Sequence, residues 1–125
     1  MKIKSFFLYF VIISATLTIN SQSIAKPTLD AEEKNKVLDN IVKDLQSAHS
    51  LLKKAFDDEN YQEAARQQCR ILNIYEEIID FTQNNPQLEK SEKYGAAAEG
   101  MLAVQYATMQ ENKVTKEMVC EYYLN

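Results

Sequence analysis

The chain has 125 residues, 46% hydrophobic and 26% charged, which is the size and make-up of one ordinary globular domain and excludes disorder as the dominant state. Its formal net charge is −4. A surface of that sign repels phosphate backbones and anionic lipid, so nucleic-acid binding and peripheral membrane attachment both lose their usual electrostatic support.

The N-terminal segment differs from the rest. Lys2 and Lys4 precede an apolar run from Phe6 to Ile13, and Ser23-Ile24-Ala25 places small residues at the third and last positions before Lys26. This is the layout of a secretory signal peptide cleaved after Ala25. A retained membrane anchor is the competing reading, but the run fades after Leu17 into Thr18, Asn20, Ser21 and Gln22, short of the ~20 apolar residues that span a bilayer. The expected organisation is a signal peptide over 1–25 and a single helical domain over 26–125, periplasmic or secreted, with no stable membrane insertion. Cleavage would remove Lys2 and Lys4 and leave twelve basic and eighteen acidic residues, a net charge of −6.

Cys69 and Cys120 are the only cysteines. Export would carry them into an oxidising compartment, where a single disulfide between them is the economical expectation. With one histidine in the whole chain, neither the CxxC nor the His-rich spacing of zinc, haem or thioredoxin-type sites can be assembled. No metal and no cofactor is implied.

Two prolines, two glycines and the lack of sustained period-two alternation identify a helical chain. Asp30 and Glu33 can form a capping box, and Leu38, Ile41, Leu45, Ala48, Leu52 and Ala55 follow at steps of three and four. Val37, Val42, Leu51 and Phe56 widen that stripe, so the spacing predicts a surface helix over about 30–57. Asn60 and Glu63 offer a second capping box, opening a helix whose apolar residues form two rows, Tyr61, Ala65, Leu72, Tyr75, Ile79 and Ile71, Ile74, Ile78, Phe81. A helix so apolar around its circumference should touch partners on more than one side. The turn Asp58 to Ala64 resembles, over seven residues, the helical-hairpin turn of tetratricopeptide repeats, and it occurs once.

Gln83-Asn84-Asn85-Pro86 ends the second helix, and a third begins between Gln87 and Glu92. From Tyr94 to Met109 it carries one charge, Glu99, in sixteen residues, which predicts a largely buried segment. Thr115 can cap a short fourth helix with Met118, Val119, Cys120, Tyr122 and Tyr123. The fold class expected is an all-α bundle of about four helices, the last short, with one disulfide.

Gly95 and Gly100 each cost about 1 kcal/mol against alanine inside a helix, so something should offset them. Either they let the third helix approach the second, with Tyr75 or Phe81 lying over them, or they leave a groove for a partner's side chain or a small ligand. The mature tyrosines, six against two phenylalanines, suit a protein interface, where a ring buries area while its hydroxyl stays paired or wet; incompletely covered core aromatics are the bland alternative. His49 is expected at the core boundary and Glu99 at the solvent line. No catalytic set emerges, since Ser47, Ser50 and Ser91 have no matched histidine and acid, and Glu76, Glu77 and Asp80 mark a wet helix edge.

The function expected is therefore that of an exported, non-enzymatic protein that binds one protein partner in the cell envelope. Its size and single-bridge helical build resemble those of immunity proteins, secretion pilotins and small periplasmic chaperones. The partner surface is expected where the third and fourth helices meet, with Tyr94, Gly95, Gly100, Tyr106, Tyr122 and Tyr123. A small-molecule carrier using a groove beside Gly95 to Gly100 is the alternative.

Overall fold

The structure, a computed structural model, describes residues 29–122. Both the expected signal peptide, 1–25, and Tyr123 lie outside them. Four helices make up the described chain: α1 (Leu29–Asp57), α2 (Tyr61–Asn84), α3 (Ser91–Glu111) and α4 (Lys116–Tyr122). The described chain is all-α, as its periodicity predicts.

Helix α2 is central. It packs against α1, α3 and α4, whereas α1 and α3 flank it and scarcely touch one another. The cause is its composition: Ala64, Ala65, Ile71, Leu72, Ile74, Tyr75 and Ile78 are all buried, spread over most of the circumference, and only strips such as Arg66, Asn73, Glu77 and Asp80 stay wet. Against one side lie Leu38, Ile41, Val42, Leu45, Ala48, Leu52 and Ala55 of α1, all buried. The expected widening of that stripe is half right. Val42 is buried and Phe56 half-buried, but Val37 and Leu51 remain 46% and 40% exposed, because α1 meets one neighbour instead of a surrounding core.

The turns are local chemistry. Asn60 accepts from the Glu63 amide at 3.1 Å, capping α2 as the sequence predicts. At the end of α1, Glu59 adopts φ 55°, and the Asn60 and Glu59 amides reach back to Ala55 and Phe56 carbonyls at 2.8 and 3.0 Å. The end of α3 repeats this arrangement. Lys113 has φ 57°, and the Val114 and Lys113 amides bond Met109 and Gln110 carbonyls at 2.9 and 3.1 Å. Both are Schellman closures, in which a left-handed residue lets the chain reverse within a few residues. Asp30 is not the cap of α1, since the helix already includes Leu29; it pairs instead with Lys34 one turn on, at 3.2 Å.

The loop between α2 and α3 is tied at both ends. Ser91 donates to the Asn85 carbonyl at 2.6 Å, and Lys90 reaches Asp39 on α1 at 3.0 Å. Between α2 and α3 the buried amide of Gln68 donates to Gln105 at 2.9 Å, a polar pair that fixes their register, since any slip would leave both amides buried and unbonded. Cys69 and Cys120 form the expected disulfide, with Cα atoms 4.9 Å apart, joining α2 to α4.

Candidate functional site

The expected burial of Tyr94 to Met109 is overturned. Tyr94, Gly95, Ala98, Gln105, Thr108 and Met109 face inward, but Ala96, Glu99, Gly100, Ala103, Val104, Tyr106 and Ala107 are exposed. One neighbour, α2, takes one side of α3, and small residues carry too little apolar area to demand a second.

The residues of the expected partner surface are consequently separated. Tyr94 is 2% exposed and lies within the core, so it offers no surface. Gly95 is a packing seam: a Cβ there would stand 2.6 Å from Oγ1 of Thr82, not under Tyr75 or Phe81 as expected. Gly100 is open, with nothing within 4 Å of where a Cβ would lie. Tyr122 is half-buried against the core. Among the described members of the set, Tyr106 alone lines the hollow at the α3–α4 junction.

That hollow, of about 730 Å³ and open to solvent, is formed where α2, α3 and α4 converge, with Met109 and Val114 beside Tyr106, Gln110, Lys113, Lys116 and Glu76. The turn builds its floor. Val114 is turned inward by the Schellman closure, to 5% exposure, beside buried Met109. The side wall is α4, begun by Thr115, whose hydroxyl accepts from the Met118 amide at 3.1 Å, and held down by buried Val119 and the Cys69–Cys120 bridge.

Glu76 organises the polar edge. One carboxylate oxygen accepts from the Tyr106 hydroxyl at 2.8 Å and the other from Lys116 at 2.9 Å. The Lys116 bond, reinforced by Tyr106, holds the Glu76 carboxyl below its ordinary value against a smaller opposing effect of burial. Partial burial and the Glu76 bond push the Tyr106 phenol up to about 12. The phenol therefore keeps its proton and donates a hydrogen bond with it to Glu76, which leaves its own oxygen free to accept a bond. Such an edge can receive a donor from a partner; at neutral pH its groups do not exchange protons as an acid and base would.

Glu76, Lys113 and Lys116 were not distinguishable in the sequence as members of a site. Glu76 meets Tyr106 and Lys116 across thirty and forty residues of chain, and it reads locally as one more wet position on α2. Among the described residues no group of three or more His, Cys, Asp and Glu side chains could hold a metal ion, and no helix is long and apolar enough to cross a membrane. Comparison with protein families, with characterised proteins and with solved structures found no match.

His49 lies away from the hollow, at the α1–α2 boundary as its position predicts. Its Nε2 is 3.2 Å from the Tyr75 hydroxyl, and its Nδ1 is buried without a hydrogen-bond partner. Burial holds the imidazole below its ordinary value and pushes the Tyr75 phenol up to about 12. The unfolded chain thus binds a proton near pH 6.5 that the folded domain resists. The His49 contribution is flat above that pH and destabilises as pH falls below it, by at most about 1.4 kcal/mol per pH unit. Urea denaturation at pH 7.5 and 5.5 should show wild type losing stability over that interval and His49→Gln losing less. Equal losses in the two proteins would contradict this assignment.

Proposed function

We propose that this chain is an exported, non-enzymatic helical protein that holds one protein partner in the cell envelope, as an immunity protein, a pilotin or a small chaperone does. The observation that carries the reading is the hollow at the α2–α3–α4 junction. It joins an apolar floor, Met109 and Val114, to a polar edge, Tyr106 and Glu76, with Lys113 and Lys116 beside it. Its walls are held by a disulfide and an ion pair, so little ordering entropy is lost when a partner's side chain enters. The disulfide and the signal-peptide layout of residues 1–25 support an oxidising compartment.

The carrier reading rests on a second hollow, of about 430 Å³, beside Gly95 and Thr82. It is open and bordered by Glu92 and Glu99, where ligand sites normally bury most of a small molecule. Native mass spectrometry of the exported protein separates the two, since a carrier retains a small molecule.

The test of the main reading is photo-crosslinking from Gln110 in envelope extract, followed by affinity measurements on the captured protein. Truncating a buried interface tyrosine typically costs 2 kcal/mol or more, about thirtyfold in Kd. Tyr106→Ala and Lys113→Glu should weaken capture on that scale, while Ser47→Arg, on the outer face of α1, should not. Equal retention by all three variants would reject the site.

A further inference from the structure

Apart from the junction hollow, α3 presents an outward face that no other part of the described chain covers. Ala96, Gly100, Ala103, Val104 and Ala107 are exposed there at helical spacing and form an uncharged strip bordered on one side by exposed Glu99, in a chain of which 26% is charged. The face is level except at two places four residues apart: Val104, 45% exposed, stands proud, and Gly100 leaves a notch with nothing within 4 Å of a Cβ. At its ends stand Lys93 and Glu111, both exposed. Neither makes an ion pair with the described residues.

The spacing of these four residues carries the argument. Lys93 and Glu111 are eighteen positions apart, which is five full turns and about 27 Å, so they occupy the same row of the helix. Their midpoint is position 102, which is also the midpoint of Gly100 and Val104. A two-fold axis through that point superposes a negative end on a positive end and a ridge on a notch, and it does so twice by symmetry. A parallel alignment would instead set lysine against lysine and glutamate against glutamate.

We propose that the outer face of α3 pairs antiparallel with the same face of a second copy of this chain, with Lys93 against the second copy's Glu111 and Val104 in its Gly100 notch. A strip about 27 Å by 12 Å falls well below the ~1,200 Å² at which standard interfaces begin, so the dimer is weak and forms only at high protein concentration. Small side chains allow the two helices to approach at the short end of the usual 8–10 Å range, which is what lets so narrow a strip make contact along its length.

Sedimentation equilibrium of the domain with its disulfide intact, from ~10 μM to ~1 mM, tests this. A monomer–dimer equilibrium is expected. Lys93→Glu and Glu111→Lys should each weaken it about tenfold, as attraction becomes repulsion at both ends, and the double swap should restore it. Gly100→Leu fills the notch and should weaken dimerisation while the circular dichroism spectrum is retained and the melting temperature does not fall, because the site is open in the monomer and leucine favours the helix more than glycine. A monomer throughout the range, or single swaps that leave the association unchanged, would overturn the proposal.

Discussion

Replacement of Cys69 and Cys120 by serine should lower the stability of the domain by about 4 kcal/mol, the chain-entropy value for a loop of 51 residues. For a domain of this size that corresponds to a fall of roughly 15–30 °C in melting temperature. The loss should be concentrated in α4. A helix of seven residues does not persist in water by its own propensity, and apart from the bridge α4 is held by buried Val119, half-buried Tyr122 and the Lys116–Glu76 pair. That pair is partly exposed and contributes little on its own. Hydrogen exchange should therefore show the Val119 amide, bonded to the Thr115 carbonyl at 3.2 Å, losing protection far more than amides of α1. Because α4 is one wall of the junction hollow, affinity for the proposed partner should fall with it. A melting shift of only a few degrees, with Val119 still protected, would show that α4 docks without the bridge.

Gly95→Leu should destabilise by about 2–4 kcal/mol, whereas Gly100→Ala should stabilise by up to about 1 kcal/mol. The two glycines share one helix and opposite surroundings. At Gly95 the Thr82 Oγ1 occupies the space a Cβ needs, and it cannot simply turn aside, because its hydroxyl is bonded to the Ile78 and Ile79 carbonyls at 2.8 and 3.1 Å and its side chain is branched at Cβ. The helices must then separate, which strains the Ser91–Asn85 and Lys90–Asp39 ties nearby. At Gly100 a methyl group meets solvent, and only the helix propensity changes. Thermal melts of both variants provide the measurement, and Thr82→Ala should recover part of the loss in Gly95→Ala by removing the opposing atoms. If Gly95→Ala and Gly100→Ala shift stability alike, the two helices do not meet at Gly95 as described.

Much of the architecture is legible in residue order because its causes are local. Asn60 and Thr115 cap their helices through amides three residues away, the three-and-four spacing of Leu38 to Ala55 marks one buried face, and two cysteines in a chain allow one intramolecular pairing. The all-round apolarity of α2 also predicts its central place, since a helix with no wide wet face must be surrounded.

What only the tertiary structure decided lies mostly on α3. Alanine and glycine bury so little area that a run of them favours neither side of a helix, so hydropathy could not tell that Ala98 faces in while Ala96, Gly100 and Ala107 face out. Tyrosine is equally undecided by itself. Tyr94 is enclosed and Tyr106 stands at the rim because α2 lies beneath one row of α3 and not the next. The junction edge follows the same rule: Glu76 becomes distinctive through Tyr106 and Lys116, thirty and forty residues away, which meet it only after α3 and α4 have folded back onto α2. Capping and periodicity are short-range effects written in neighbouring residues, whereas the choice among equivalent faces depends on which other surfaces arrive, and that is a property of the packed chain.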